Sequence, residues 1–466
     1  MKRLFVLFAV LPLSLPVSGE SLSDIYQLAV KNDAQLKMAE AQLQADLETE
    51  KLALSAMLPQ LGASYSYTDT DSDSRSVSYA DVGGVATPID VRADSDYDTK
   101  GFRLSLSQSI FDLSNWFSFK SGQQISKRAR ATFAANQQGL ILRTVSAYFA
   151  VLRARDNLQA SLAQERALER QLEQTRQRFD VGLIAITDVY EAQAAYDLAR
   201  VQRIEYENAV AVAIEQLSVL TGQQHGELNV LAENFPIAKP NPVDRAQWVD
   251  FALANNYSLA AARYAEDAAR ANAKAKKAGH LPTLSGSYTY SDFDTDGSTR
   301  IFPASPGSPD GSQDTKQWAL TLSAPLYSGG AVSATRRQAA QQFNLAREQR
   351  IHLTRDTIAN TRSQHMTVMS NVSRVAARKQ SIVSSRSALD ATQAGYDVGT
   401  RNVVDVLNAQ NALYSAQRDY ANSRYDYVIA MMRLKQQAGQ LSPEDILQLD
   451  AYLKPAPVKA TGAGGL

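Results

Sequence analysis

Two stretches of the chain, RFDVGLIAITDV at residues 178–189 and GYDVGTRNVVDV at residues 395–406, share one pattern. Their Asp-Val-Gly triplets lie 217 residues apart, and a second Asp-Val follows each triplet after five residues. Near the start of each half, Leu-Pro-Gln-Leu at residues 58–61 is matched by Leu-Pro-Thr-Leu at residues 281–284. Similarity at several separated places in one order predicts two consecutive structural repeats.

Each repeat has the same plan, in which a helix leads to a β-hairpin and two long helices follow. We predict a signal peptide at residues 1–19, a first repeat at 20–235, a second repeat at 236–440 and a C-terminal tail at 441–466. The expected hairpins lie at about 58–112 and 281–327, and the expected long helices at about 113–181, 188–221, 330–398 and 403–438.

The N-terminus has the pattern of an export signal. Lys2 and Arg3 precede an apolar run at residues 4–15, and small residues at Ser18 and Gly19 suit cleavage after Gly19. A membrane anchor is the alternative, but the run is too short to cross a bilayer. The tail at residues 454–466 is rich in Pro, Ala and Gly, a composition typical of segments without a packed core.

Composition excludes several classes of function. The chain has no cysteine, which excludes disulfides, thiolate catalysis and Cys-based zinc sites. Its 48 basic residues equal its 48 acidic residues, so no basic surface predicts nucleic-acid binding. Asp292, Asp294 and Asp296 begin like a calcium loop, but Pro303 stands where the loop requires Glu, and the four histidines have no ligand spacing. We expect no metal and no cofactor.

The predicted strands alternate apolar and polar residues, so each has one apolar face. A half-buried sheet of a soluble protein is the alternative for any single strand. Four such strands in an exported chain favour a membrane sheet whose aromatic residues form interfacial girdles, namely Tyr65, Tyr67, Phe102, Tyr288, Tyr290 and Trp318. Four strands cannot close a barrel alone, so a membrane-spanning chain must oligomerise. We expect long outward loops at residues 68–100 and 291–316.

The predicted helices carry coiled-coil seams, with Ala and Gln as frequent members and apolar steps of three and four residues. Gly182 and Gly399 suit the ends of the first helix in each pair. We expect Thr187 or Asp188 to cap the next helix in the first repeat, and Asn402 or Asp405 in the second. An ordinary coiled-coil rod would show the same periodicity.

The two tip motifs, together with LPQL at 58–61, SQSIFD at 107–112, GHLPTL at 279–284 and PLYSGG at 325–330, resemble the motifs of the TolC family. The resemblance extends over nearly the whole mature chain. It implies a mainly α fold with a membrane β-barrel: a homotrimer with a twelve-stranded outer-membrane β-barrel, continued by a long periplasmic α-helical barrel. It implies a mixed α/β belt formed by residues around 222–245 and the C-terminal region.

The resemblance also implies residue roles. Gate links would involve Thr187, Asp188, Tyr396 and Arg401, with Asp188 bonded to Tyr396 and Arg401 reaching Thr187 and Asp188 on a neighbouring helix. Asp405 and Asn408 would form the constriction ring, where the family has two aspartates, so the chain departs from the family at Asn408 and weaker cation selectivity is expected. A solvated helix cap is the alternative for Asp405. Adaptor-binding tips would be Val181, Gly182, Leu183, Val398, Gly399 and Thr400.

The function that these expectations describe is a passive exit duct for multidrug efflux, type I protein secretion or both. Its implied partners are two further copies, a periplasmic adaptor (membrane fusion) protein, an inner-membrane pump of RND, ABC or MFS type, and outer-membrane lipid. A periplasmic coiled-coil scaffold outside the membrane is the second hypothesis. An envelope hydrolase is a third, but no catalytic constellation supports it, so no enzymatic activity is expected.

Overall fold

A computed structural model describes residues 19–303 and 307–455. The predicted signal peptide, apart from Gly19, and the tail from residue 456 lie outside the described residues. The chain divides into two compact units. The first comprises the chain up to Leu43, Arg130–Ala261 and the chain from Ile351 onward; the second comprises Gln44–Ala129 and Ala262–Arg350.

The order of elements repeats once along the chain. In each half a pair of shorter helices precedes two strands, a very long helix and a second long helix. The first half contains α1 (Leu22–Asn32), α2 (Ala34–Ser55), β1 (Gln60–Val82), β2 (Val85–Phe111), α3 (Leu113–Asp180) and α4 (Ile186–Thr221), followed by β3 (Val230–Leu231). The second half contains α5 (Arg245–Asn255), α6 (Tyr257–Ala278), β4 (Thr283–Phe302), β5 (Gly311–Ser323), α7 (Ala331–Asp397), α8 (Val403–Gln437), α9 (Pro443–Asp450) and β6 (Leu453–Lys454). The predicted two-repeat architecture is confirmed.

The second unit contains one antiparallel sheet with the strand order β1-β2-β4-β5. Its register places Leu106 opposite Tyr288, and Tyr288 opposite Trp318. Residues directly opposite each other share a face of a sheet. The apolar residues whose alternation was predicted, such as Leu106, Tyr288 and Trp318, therefore lie on one face, whereas Phe293 and Ile301 of β4 lie on the opposite face. Within the described residues, the outer edges of β1 and β5 pair with no strand.

The predicted outward loops were wrong, because the strands continue through most of them. β1 and β2 pair without interruption as far as Val82 and Val85. Gly83 and Gly84 join them with φ of 68° and 86°, the pair of positive values that a tight hairpin turn requires. An antiparallel ladder satisfies the backbone whether the side chains are polar or apolar. A polar sequence that keeps two-residue alternation can therefore remain a strand.

The first unit has its core where the short elements pack against the long helices. Leu22 and Ile25 of α1 and Trp248 of α5 are buried together with Tyr148 and Phe149 of α3. β3 pairs with β6, and the Tyr148 hydroxyl donates to the Asn229 carbonyl at 2.7 Å. We call α1, α5, α9, β3 and β6 the belt. None of the helices in the described ranges is both long and apolar enough to span a bilayer.

Candidate functional site

The first helix hairpin turns at Gly182. Its φ is 77°, and the amide of Leu183 donates to the Arg178 carbonyl at 2.9 Å. A Cβ atom built on Gly182 would have nothing within 4 Å. The left-handed backbone, and not a lack of space, is therefore the reason for glycine at this helix end.

The second hairpin turns at Gly399, whose φ is 80°. The carbonyl of Gly395 accepts from the amides of Thr400 at 2.8 Å and Arg401 at 3.2 Å, and from the Thr400 hydroxyl at 3.0 Å. These bonds satisfy a carbonyl that the end of α7 would otherwise leave without a partner. The two repeated motifs thus form two equivalent turns.

The caps of the two following helices differ. Asn402 caps α8, accepting from the Asp405 amide at 2.8 Å, as predicted. The predicted cap of α4 was wrong, because the helix begins at Ile186 and its N-cap is Ala185, which has no side-chain bond. Thr187 and Asp188 therefore lie inside the first turn, where the carboxylate of Asp188 still interacts favourably with the helix dipole.

One arginine joins the two hairpins. Arg178, near the end of α3, pairs with Asp397 at the end of α7, with Nη2 to Oδ1 at 3.2 Å. Its guanidinium also lies 4.5 Å from the centre of the Tyr396 ring, a cation–π contact. Arg178 was not among the predicted gate residues, although its place within the repeated motif was the available signal.

Tyr396 lies in a small apolar cluster between the hairpins. It packs with Leu168 and Ala199 of the first hairpin and with Val403 and Val406 of the second. The side chain is only 6% exposed, yet its hydroxyl has no hydrogen-bond partner in the described chain. A buried hydroxyl without a partner costs free energy, so this atom is a candidate for a further hydrogen bond.

The predicted gate links are not formed within one copy. Arg401 pairs with Asp405 on the next turn at 3.6 Å. Among the residues that the structure describes, no bond joins Asp188 to Tyr396, or Arg401 to Thr187 or Asp188. The bond between Asp188 and Tyr396, and the reach of Arg401 to Thr187 and Asp188 on a neighbouring helix, stay a prediction. Asp405 and the exposed Asn408 lie one turn apart on α8.

The tips present apolar side chains to solvent. Val181 is 70% exposed, Leu183 73% and Val398 75%, and Thr400 beside them is exposed as well. Three large apolar side chains are thus exposed at the turns of the two hairpins in a single copy. Adaptor binding at these tips stays a prediction.

The predicted girdle residues share the apolar face of the sheet. Tyr65, Tyr67, Phe102 and Trp318 are exposed, and Tyr288 and Tyr290 are half-buried. The rings of Tyr288 and Trp318 lie 4.4 Å apart, and those of Phe102 and Tyr290 lie 5.6 Å apart. Exposed paired aromatics on an apolar sheet face suit a lipid interface.

No cluster of His, Asp or Glu within residues 19–303 and 307–455 is arranged to hold a metal ion. His225 instead lies 2.6 Å from a carboxylate oxygen of Glu20 and 2.5 Å from the Thr221 hydroxyl, where these bonds hold the start of the belt.

The chain has two repeats with long helix hairpins, and its sheet has one apolar face and two unpaired edges. Together these features define the class of oligomeric outer-membrane channels. The family model described as "Outer membrane efflux protein" matches residues 25–223 and 248–440. The chain belongs to this family. The trimeric fold expected from the resemblance follows from that membership, and the chain is a protomer of an outer-membrane exit duct with a periplasmic extension.

Individual relatives agree. Outer membrane protein TolC of Vibrio cholerae is 36% identical over 461 residues, covering 98% of this chain and all of that protein. The alkaline protease secretion protein AprF of Pseudomonas aeruginosa is 31% identical over 427 residues, covering 91% and 85%. The crystal structure of VceC from Vibrio cholerae has a TM-score of 0.72 at 17% identity, covering 90% of this chain and 96% of that one, which shows the same fold. The scaffold hypothesis is excluded, since the matching family and TolC of Vibrio cholerae are named as outer-membrane proteins.

Proposed function

We propose that the duct is a passive channel closed at its helix hairpins and opened when partner proteins engage them. The observation that carries this proposal is the contact of Arg178 with Asp397 and with the ring of Tyr396. It ties the hairpin of α3 and α4 to that of α7 and α8. The pair is partly exposed, with 35% of the Arg178 side chain and 54% of the Asp397 side chain accessible. Such a contact is weak enough to be exchanged for others.

In the closed trimer, the tip contacts between copies complete this link. The free hydroxyl of Tyr396 donates a hydrogen bond to the carboxylate of Asp188. Arg401 leaves Asp405 for Thr187 and Asp188 of the neighbouring copy. Charge-assisted bonds of this kind are directional, so a small displacement of one hairpin breaks them together. Opening is then a swing of the α7 and α8 hairpin away from the axis.

The constriction is formed by Asp405 and Asn408. Three copies of Asp405 give a ring of carboxylates that favours cations, while Asn408 adds no charge. Because Arg401 lies 3.6 Å from Asp405 in the same chain, it reduces the negative potential of the ring while that pairing lasts.

Opening is driven from outside the chain. The exposed Val181, Leu183 and Val398 receive the helical hairpin of a periplasmic adaptor, and Gly182, Gly399 and Thr400 allow its close approach. The adaptor couples the duct to an inner-membrane pump of RND, ABC or MFS type. The family is named for efflux, and one relative is named for alkaline protease secretion. These names support a duct that works with both a drug pump and a type I protein secretion system.

Single-channel recording in a planar bilayer tests the gate. We expect a small, cation-selective current from the wild-type protein. Arg178→Gln and Arg401→Ser each remove a partly exposed ion pair of up to about 1 kcal/mol, so open probability rises about two- to fivefold. Arg386→Gln, at an exposed position on the same α7 helix, is the matched control and leaves the current unchanged.

Two outcomes contradict the proposal. A large wild-type current that neither substitution changes would agree with a duct but show that neither arginine is part of the gate. Equal increases in all three variants, including Arg386→Gln, would show a general loosening of the helices and not a specific link.

A further inference from the structure

An open cavity lies within the first unit, among all four long helices. Its volume is about 760 Å³, and α3, α4, α7 and α8 each contribute to its wall. This volume falls within the range of about 300 to 1,000 Å³ that is usual for sites that bind small molecules. The tip contacts use none of these side chains. The core of the belt shares only Ala154, Ala213 and Ala430 with the cavity wall, and Ile429 packs against that core.

The cavity and the belt occupy different faces of the helix layer. Ser146, Ala150, Arg153 and Asn157 of α3 line the cavity, with steps of four, three and four residues that mark one stripe of a helix. The neighbouring stripe, which includes Val145, Phe149 and Leu152, packs into the core of the belt. Of the α3 residues that line the cavity, only Ala154 also belongs to that core, so the cavity opens mainly on the stripe beside the one that the belt covers.

The charge of the cavity is unbalanced. Arg153 lies 2.5 Å from Asp426, and Arg374 lies 3.8 Å from the same carboxylate. Arg433, seven residues further along α8 and thus on the same helix face, has no ion-pair or hydrogen-bond partner in the described chain. Three guanidinium groups face one carboxylate, which leaves an excess of two positive charges.

The remaining wall is suited to an organic molecule more than to a bare ion. Val212, Ile429 and several alanines form apolar surface, and the side-chain amides of Asn208 and Gln216 add hydrogen-bonding groups. Guanidinium groups have donors only, and their planar fork matches carboxylate, sulfonate and phosphate oxygens. The charge excess repels cationic molecules.

We propose that this cavity binds organic anions that carry one or two acidic groups on an apolar body. Arg433 and Arg374 hold the acidic groups, and the alanine-lined wall contacts the body. The binding of anions does not depend on the proposed function. Their role as cargo, bound on the channel wall during passage, does rest on the proposed function as a duct.

Isothermal titration calorimetry tests the binding on the full-length protein in an uncharged detergent, with naphthalene-1,5-disulfonate as the probe. We expect saturable binding by the wild type, weakened by salt. Arg433→Gln and Arg374→Gln each remove a charge-assisted bond, so affinity falls about tenfold or more. Arg386→Gln is the matched control and binds as the wild type does, and the neutral naphthalene-1,5-diol binds weakly to every variant.

Binding that is unchanged in Arg433→Gln and Arg374→Gln, or equal binding of the diol, overturns the proposal. In bilayer recordings of the same samples, the disulfonate reduces the wild-type current and leaves Arg433→Gln unaffected. Binding in the calorimeter without a reduction of the channel current would support the anion site and contradict its role in passage. Anion binding by a wild-type protein that shows no channel current would contradict the proposed function as a duct and leave the anion site supported.

Discussion

At the scale of single residues, a partly buried carboxyl group in the first unit gives the chain a pH dependence. The Tyr425 hydroxyl donates to Asp156 at 2.5 Å. Burial raises the pKa of Asp156 above its ordinary value, against the opposing effects of the Tyr425 hydrogen bond and the nearby Arg424. Burial is also the main cause that raises the pKa of Tyr425, so this phenol stays protonated and keeps its role as donor.

The raised pKa of Asp156 predicts a loss of stability as pH increases. Between the ordinary and the raised pKa of Asp156, the folded chain binds more protons than the unfolded chain, so its free energy of unfolding falls with rising pH. Asp156→Asn keeps an acceptor for Tyr425 and removes the charge, so its melting temperature falls less between about pH 4 and pH 7. Exposed Asp390→Asn is the control, and identical pH profiles in wild type and Asp156→Asn would contradict the prediction.

At the scale of elements, the helix ends depend on glycines for two different reasons. Gly182 needs only its left-handed backbone, since a Cβ there would have nothing within 4 Å. Gly439, just after α8, has a φ of 69°, and a Cβ there would lie 2.2 Å from the Asn255 carbonyl oxygen. Strain and a steric clash with backbone therefore add at Gly439.

Alanine substitutions at three glycines should separate these costs. Gly226→Ala meets neither a positive φ nor any neighbour, so we expect an unchanged melting temperature. Gly182→Ala costs about 1 kcal/mol for the left-handed residue. Gly439→Ala costs more and lowers the melting temperature furthest, because α8 must also move away from α5. A decrease in melting temperature for Gly182→Ala as large as that for Gly439→Ala would contradict this order.

At the scale of the whole molecule, the sheet determines how copies must associate. β1 and β5 present edges that pair with no strand among the described residues, and open edges are not tolerated in lipid. Closure joins β1 of one copy to β5 of the next, and three copies of four strands form the twelve-stranded barrel of the trimer.

Cysteine cross-linking tests this closure, because the chain has no cysteine of its own. Ala63→Cys on β1 is combined in turn with Lys316→Cys, Trp318→Cys or Leu320→Cys on β5. We expect one of these pairs to form a disulfide between copies on oxidation, giving a covalent trimer on a denaturing gel. The single variants give at most dimers, and a ladder of larger oligomers would contradict a closed ring of three.

The sequence alone determined the two repeats, the alternation of the strands and the turns at Gly182 and Gly399. These features depend on periodicity and on local backbone conformation, which a short stretch of residues sets by itself. The same local reasoning failed at residues 68–100, because the polarity of a stretch does not show whether its backbone groups find a partner strand.

Only the tertiary structure decided which side chains meet. Arg178 reaches Asp397 and Tyr396 across 219 and 218 positions of sequence, and Arg153, Arg374 and Arg433 line one cavity from three helices. The positions of such residues along the chain carry no distance information. Their contacts follow from how long helices pack side by side, and that packing is set by the apolar faces of several elements acting together.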